Sequence, residues 1–575
     1  MIRLCLSEID NDASVALFDG TRLVHAVSEE RISRKKQHQG FPHLAIRQSL
    51  DAAGATLNDV DQLCIAKPEP ADEIPAIYGR LRHYSSGGPH MKAFDALLDA
   101  VIIRGWKRHT TVRLIRRLHR EIEQWLEDNR FPRNRVKRAY NHHFLHVASA
   151  YYGSGFTDAL AITADGQGGG VTASVYDCRS GRFTNAVEVL YPNSMGLFYA
   201  AATKALGYIP NRHEGKLTGL ASFATPPEEC LRFCRSLAAA QGATFTAHGL
   251  YGTYPRLLRL VKRYSPAEIA AAWQLVLEEV LRDFAAWHVK RSGLSRVVLA
   301  GGVFANVKLN QRIREIPGVD EVFVFPAMAD SGLAWGAGAW EARRETEFQS
   351  IAIQDVYWGP SWSDDDIVAA FRRSNVSFET LDDVATTVGD ALADDHLVWR
   401  FDGAMEFGPR ALGNRSILYH SRDRSVNDWL NATLKRTEFM PFAPVTLVEH
   451  ADECYQDLDS GRRTAYFMTM TFDCTDRMKE WSPAAVHVDG TARPQLIDKA
   501  INPDYYGIVR RYYERTGIPS VINTSFNMHE EPIVCSPDDA VRAWLTARMG
   551  ILSMGRFLAR AFDTPNRSKR LKAEG

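Results

Sequence analysis

One pattern occurs twice in this chain and limits its fold more than any other feature. Ile2–Leu6, Ser14–Phe18 and Leu23–Val27 read as three short strands, the last two joined at Asp19-Gly20, a favoured hairpin turn. Helical periodicity over His43–Ala53 and a strand at Leu63–Ala66 follow. Ala159–Ala164 and Val171–Tyr176 begin the series again, with a turn at Asp177-Cys178-Arg179-Ser180-Gly181 and a further strand after it. Ala13-Ser14-Val15 is echoed by Ala173-Ser174-Val175. Three strands and a helix, used twice, predict a duplicated α/β fold with a cleft between its halves. Arg296–Gly302 and Glu321–Pro326 add buried strands, each followed by a helical pattern.

At 575 residues the chain exceeds what one core supports. The pattern changes through Arg343-Arg344-Glu345-Thr346-Glu347 and Trp358-Gly359-Pro360-Ser361, so we read domains at 1–350 and 351–575. The second mixes strands (Leu397–Phe401, Ala443–Val448, Ala465–Thr471, Pro519–Asn523) with helices. Its last helix has a clear start: Ser536 to cap, Pro537 in the first turn, Asp538 and Asp539 for the dipole, then Val541, Trp544 and Leu545 as apolar face. Residues 78–138 read as a basic helical insertion, with Arg113, Arg116, Arg117 and Arg120 on related faces. That insertion is either a solvated face or a docking surface for an anionic acceptor or a membrane surface. The basic tail after Thr564 is expected to be disordered.

Formal net charge is zero and the pI about 7.3, which argues against a stable nucleic-acid partner. The first residues lack the basic and apolar regions of a signal peptide, and no run approaches the ~20 apolar residues that span a bilayer. The eight cysteines are scattered, and the close pair Cys230 and Cys234 has helical spacing. We expect reduced thiols in a soluble, cytoplasmic protein.

Two loops follow predicted strands and carry glycines that let backbone amides approach a phosphate or a nucleotide. They are Asp165-Gly166-Gln167-Gly168-Gly169-Gly170 and Ala300-Gly301-Gly302-Val303-Phe304-Ala305-Asn306. Asp165, at a strand end, can also hold a metal or order water. His142 and His146 are four apart, which puts both imidazoles on one helix face. They read as two ligands to one ion or as polar helix histidines without metal. Asp330, at another strand-to-helix junction, is the candidate third ligand, leaving open positions as in non-haem iron or catalytic zinc sites. In the second domain, Glu406-Phe407-Gly408-Pro409-Arg410-Ala411-Leu412-Gly413-Asn414-Arg415-Ser416 holds Arg410 and Arg415 among turn-forming residues. A guanidinium pair there suits bidentate phosphate capture. Lys435, Arg436 and Arg493 add charge, and Asn523, Ser525 and Asn527 end a strand with hydrogen-bonding groups.

Taken in order, these motifs resemble the nodulation-protein and antibiotic O-carbamoyltransferase family. Glu29-Glu30-Arg31-Ile32-Ser33-Arg34, Gly40-Phe41-Pro42 and Glu214-Gly215-Lys216-Leu217-Thr218-Gly219-Leu220-Ala221 join them. The resemblance implies an actin/hexokinase-like (ribonuclease H-like) first domain, similar to the tRNA threonylcarbamoyl-transfer domain, and a YrdC-like second domain. It implies His142, His146 and Asp330 as ligands of a metal, often iron and here expected as Fe(II), with Mg2+ accompanying ATP. It implies nucleotide contacts at Lys36, Asp165, Gly166, Gly168, Gly169, Lys216, Gly301, Gly302 and Asn306. Arg410, Arg415, Lys435, Arg436, Arg493, Asn523 and Ser525 would bind carbamoyl phosphate and ATP, with Arg410, Arg415 and Lys435 catalytic. The implied reaction forms a carbamoyl-adenylate and transfers its carbamoyl group to a hydroxyl of a glycan, lipopolysaccharide core, lipo-oligosaccharide or natural product. The expectation leaves room for a homodimer and a peripheral membrane contact.

Three positions depart from the family. Asn11 stands where a His usually precedes Asp-x-Ser, so either Asp10, Asp12 or the metal takes the base's role or deprotonation of the acceptor matters less; Asp12 is our catalytic candidate. Met440 replaces a frequent Arg, and Glu530 replaces a Gly, which tests whether that loop needs positive φ. Rival readings are a tRNA threonylcarbamoyl-type or hydrogenase-cofactor transferase, a non-catalytic nucleotide-binding regulator and a sugar kinase. The retained histidines, Asp330 and Arg410/Arg415 argue against the regulator, and a kinase leaves the second domain unexplained.

Overall fold

The structure is a computed structural model that describes residues 1–7, 11–67, 108–138, 140–247, 250–344, 351–433, 441–560 and 562. The chain forms two compact units, Met1–Glu29 with Gln37–Ile353, and Glu30–Lys36 with Gln354–Gly575. A short stretch of the amino-terminal sequence therefore belongs to the second unit, a feature that no local pattern announces.

In the first unit, β1 (Ile2–Leu6), β2 (Ser14–Asp19), β3 (Arg22–Ser28), β4 (Val60–Ile65) and β5 (Val136–Lys137) form a sheet of order β3-β2-β1-β4-β5. The first three strands are antiparallel neighbours, and β4 and β5 run parallel to β1. A second sheet, β6 (Asp158–Gly168), β7 (Val171–Arg179), β8 (Arg182–Leu190), β9 (Arg296–Ala300) and β10 (Glu321–Val324), has order β10-β9-β6-β7-β8. Its pairings repeat the first sheet strand for strand: antiparallel β6-β7-β8, parallel β6-β9-β10. The sequence echo falls on the equivalent strands β2 and β7. Identical order and direction in two sheets is the duplication that the repeated pattern predicts.

Helix α1 (His43–Ala52) lies in the first half. The basic helix α2 (Arg108–Asp128) buries Leu118, Ile122, Trp125 and Leu126 and leaves Arg116, Arg117 and Arg120 exposed. Trp125 packs against Phe41 and Phe131. β5, at the end of the expected insertion, pairs with β4 at the edge of the first sheet. Residues 68–107 and the Arg113 side chain lie outside the described residues.

The second unit is built on one large sheet and holds a separate two-stranded one, Phe472–Asp473 with Thr491–Ala492. The strands of the large sheet are β11 (Glu379–Thr380), β12 (Val398–Phe401), β13 (Arg415–Tyr419), β14 (Ala443–Leu447), β15 (Gln495–Ile497), β16 (Ser520–Ser525), β17 (Ile551–Met554) and β18 (Phe557–Ala559), in order β11-β18-β17-β12-β13-β16-β14-β15. Alternation along the strands divides the core. Val398, Leu418, Val445, Val521 and Ile551 pack with α10 (Val384–Ala393) and α11 (Pro503–Thr516). Trp399, Phe401, Ile417, Ile522 and Leu552 pack with α9 (Asp364–Arg373) and α12 (Pro537–Ala547). The start of α12 is as read from sequence, Ser536 Oγ accepting from Asp539 N in a capping box.

The strand expected at Ala465–Thr471 is not one. Arg462–Ala465 is a helical turn, Met468 adopts φ +55°, and only Phe472–Asp473 is extended. Phe467, Met468, Thr469 and Met470 are all buried, so their spacing reflects enclosure on every side rather than one face of a sheet. Among the described residues no helix is long and apolar enough to cross a membrane.

Candidate functional site

The first unit gathers its chemistry at the start of α3 (His142–Ser154). Asn141 caps it by accepting from Phe144 N, and nearly every residue of the helix is buried. One turn separates His142 from His146, and their Nε2 atoms stand 3.2 Å apart. Asp330 Oδ1 lies 3.7 Å from each, and Asp165 Oδ2 lies 4.0 Å from His142 Nε2 and 3.4 Å from His146 Nε2. The four donor atoms fall within 4.8 Å of one another. Two imidazoles and two carboxylates gathered this closely could hold one metal ion, the donors drawing inward to reach bond lengths of about 2.1 Å. Sequence reasoning named His142, His146 and Asp330 as ligands; Asp165, noted there only as an acid able to hold a metal, is the fourth member.

Electrostatics within the cluster differ between the two acids. Burial alone would raise the Asp165 carboxyl, but hydrogen bonding and charge from His142 and His146 hold it well below the usual carboxylate range. Burial and then the Asp165 charge push the Asp330 carboxyl up. Between the two ligands, His143 points into the fold. Its Nε2 lies 3.0 Å from the Val171 carbonyl and its Nδ1 2.7 Å from Thr163 Oγ1. The carbonyl can only accept, so Nε2 carries the proton and Nδ1 accepts from threonine. Burial holds this imidazole neutral, pushed down to about 3.

The glycine loops close around this cluster differently from the sequence expectation. Gly166 N donates to Asp165 Oδ1 at 2.5 Å and Gly302 N donates to Asp165 Oδ2 at 3.0 Å. Two amides expected to face a nucleotide thus fix the acid. Gly301, at φ +105°, passes so near Ala164 that an added Cβ would meet its carbonyl oxygen at 2.3 Å, and its N–H donates to the Met328 carbonyl. Gly168 and Gly169 border the same turn, Gly169 at φ +56°. Asn306 is held by internal bonds. Its Oδ1 accepts from Leu309 N, capping Val307–Arg314, and its amide donates to Gln274 Oε1 and Thr218 Oγ1 in the interior. Lys216 is buried on Glu214–Ala221, 5.8 Å from the Tyr208 ring centre. Asp12, at φ +50°, lies in the turn before β2, where Ser14 Oγ donates to the Ser331 carbonyl at 2.7 Å. The turn is thereby tied to the neighbour of Asp330. Asp10 lies outside the described residues. Lys36, expected in the first domain, belongs to the second unit.

In the second unit the 406–415 loop is braced by two buried charges of opposite sign. Glu406 Oε1 accepts from the backbone amides of Leu412, Asn414 and Arg415 at 2.7, 2.8 and 3.2 Å. Arg415 donates to the carbonyls of Asp402, Asn414, Pro360 and Gly403, with its guanidinium 3.7 Å from the Phe401 ring centre. Arg415 therefore holds the loop, and Arg410 is half-buried on it. Asn523 donates to the Ala411 carbonyl at 3.2 Å and to Gln495 Oε1 at 2.7 Å, and Gln495 donates to the Leu412 carbonyl. Asn523 and the Arg410 loop are thus adjacent. Ser525 Oγ is 2.5 Å from Asn527 Oδ1, and Arg493 is half-buried. Lys435, Arg436 and Met440 lie outside the described residues. Glu530 takes φ +61°, so the loop does need the left-handed region where a non-glycine residue stands.

Sequence reasoning missed Glu406 and Gln495 as members of this site. Glu406 opens the motif that carries Arg410, and an acid beside a run of turn residues was its available signal.

Comparison with known proteins now bears on this geometry. The chain matches the carbamoyltransferase N-terminus over residues 3–339 and the carbamoyltransferase C-terminus over residues 389–561. It is 32% identical over 567 residues to nodulation protein NolNO of Sinorhizobium fredii, covering 95% of this chain and 78% of that protein. Nodulation protein U of Rhizobium tropici is 28% identical over 565 residues, 92% of this chain and 91% of the relative. Among solved structures, component A of (R)-2-hydroxyglutaryl-CoA dehydratase from Acidaminococcus fermentans aligns with a TM-score of 0.34 and 13% identity, over 60% of this chain and 98% of that one. That likeness is too remote to carry an argument. With both halves of the family matched in order along one chain, this protein belongs to the carbamoyltransferase family and is a carbamoyltransferase enzyme.

Proposed function

We propose that this enzyme is an ATP-dependent O-carbamoyltransferase acting on a hydroxyl of a glycan-containing acceptor. Carbamoyl phosphate and water give carbamate and phosphate in the second unit. A carbamate oxygen then attacks the α-phosphorus of ATP, forming carbamoyl-adenylate and releasing pyrophosphate. In the first unit an acceptor oxygen attacks the carbamoyl carbon, the acyl–phosphate bond breaks and AMP leaves. The observation that carries this reading is the Arg410 loop, braced by Glu406 and Arg415 and joined to Asn523. A cation side chain on a rigid support offsets phosphate charge without reorganising as the reaction proceeds. The loop amides at Leu412, Asn414 and Arg415 are taken up by Glu406, so phosphate contacts fall to side chains.

In the first unit His142, His146, Asp165 and Asp330 would hold a divalent metal, proposed as Fe(II), whose charge would polarise the carbamoyl oxygen or the leaving phosphate. Asp12, in the turn tied to Ser331, takes the acceptor's proton, a role that Asn11 cannot fill. The nodulation relatives and the exposed Arg116, Arg117 and Arg120 of α2 favour an anionic glycan as acceptor. Pyrophosphate release dependent on both ATP and carbamoyl phosphate, abolished in Arg410→Ala, is the expected result. Release from Arg410→Ala at the wild-type rate removes the second-unit assignment.

A further inference from the structure

The second unit includes Glu30–Lys36, a segment separated from the rest of it by more than three hundred residues of sequence. Its side chains meet both loops of the proposed carbamoyl-phosphate site. Arg31 is buried and donates from Nη2 to the Gly408 carbonyl at 2.8 Å, two residues before Arg410. Ile32 packs against the small apolar cluster of Met405, Ala411, Ile533 and Cys535, which draws on both loops. Arg34 donates to the Pro532 carbonyl at 2.7 Å and the Ile533 carbonyl at 2.6 Å, and its Nε lies 3.3 Å from Asp539. Pro532 and Ile533 belong to the stretch that leaves β16 after Ser525 and returns through the Val534 N–H to Phe526 carbonyl bond. Cys535 is a buried member of the same small cluster.

We infer that Glu30–Lys36 is an integral arm of the second unit's site, in which Arg31 and Arg34 act as positioning residues for the Arg410 loop and the 526–534 loop. This rests on the reading of that site as the carbamoyl-phosphate site. Glu406 and Arg415 brace the Arg410 loop from within its own sequence, but neither reaches the Gly408 carbonyl, which the arm supplies with a buried cationic donor. Gly408 sits at φ +123°, in the region that favours glycine, so its carbonyl direction is set by a backbone conformation that Arg31 secures from outside the loop. A displacement of about 1 Å at a phosphate-orienting group costs on the order of a hundredfold in rate, so an arm that fixes the loop governs catalysis without touching substrate.

The test uses the full-length enzyme with Arg31→Gln, Arg31→Lys and Arg34→Gln. Arg31→Gln is expected to raise the KM for carbamoyl phosphate, read from pyrophosphate release in the presence of ATP, at least tenfold. Arg31→Lys, long enough to reach the carbonyl, is expected to recover a good part of that loss. Hydrogen exchange at the amides of residues 407–414 is expected to quicken in Arg31→Gln, and that of residues 531–534 in Arg34→Gln, with the thermal midpoint reporting overall folding. Unchanged exchange in both variants overturns the arm, whatever the kinetics show. Faster exchange with an unchanged KM removes the positioning role. If wild-type enzyme releases no pyrophosphate with carbamoyl phosphate, the proposed function fails on its own, and the exchange measurement still decides the arm.

Discussion

Gly168 stands against the imidazole of His142 so closely that a Cβ built on it would lie 2.1 Å from the ring Cδ2. The backbone of the Asp165 loop is thus the wall that holds the first proposed ligand in place. Gly168→Ala is expected to turn the His142 ring and reduce bound metal in purified protein at least tenfold, measured by elemental analysis. The wider fold should tolerate it, because the residue is the last of β6, beside the turn into β7.

Asp165 is expected to matter for metal as much as the two histidines do. Asp165→Asn removes one charge from a group that bonds to two loop amides and faces both imidazoles. Metal content should fall to the level of His142→Ala. Retention of wild-type metal in Asp165→Asn would reduce the proposed set to three ligands.

Glu406 binds three buried backbone amides. Each unpaired donor costs about 1–3 kcal/mol, so Glu406→Ala is expected to destabilise the second unit by about 3 kcal/mol or more. Glu406→Gln keeps a carbonyl acceptor and should lose less. Denaturant titration measures the difference, and the KM for carbamoyl phosphate should rise in both variants as the Arg410 loop relaxes.

His25 is buried on β3 with Nδ1 2.9 Å from Ser49 Oγ, and burial pushes its pKa from 6.5 down to about 4. The folded state therefore favours the neutral ring. Its contribution is fully present above pH 6.5 and is lost as the pH falls towards 4, with a slope of about 1.4 kcal/mol per pH unit in that window. His25→Gln, which retains a partner for Ser49, should flatten the acid limb of the first unit's stability. Thermal midpoints of wild type and variant between pH 7 and 5 check it; parallel curves would contradict it.

Features written within a few neighbouring residues were determined by the sequence alone. Alternation predicted β1 to β3 and their repeat in β6 to β8, and Ser536-Pro537-Asp538-Asp539 predicted where α12 begins, because alternation, capping and turns depend on nearby residues. Spacing along α3 likewise put His142 and His146 on one face. Where burial on all sides imitates a pattern, as at Ala465–Thr471, local reading failed. Tertiary structure alone decided that Gly302 and Gly166 bind Asp165, that Arg415 holds carbonyls, and that Arg31 reaches Gly408 from 377 positions away. The reason is physical: a side chain's hydrogen-bond partner is set by which backbone groups the fold leaves buried beside it. Partners brought together by chain reversal leave no periodic trace in the sequence between them.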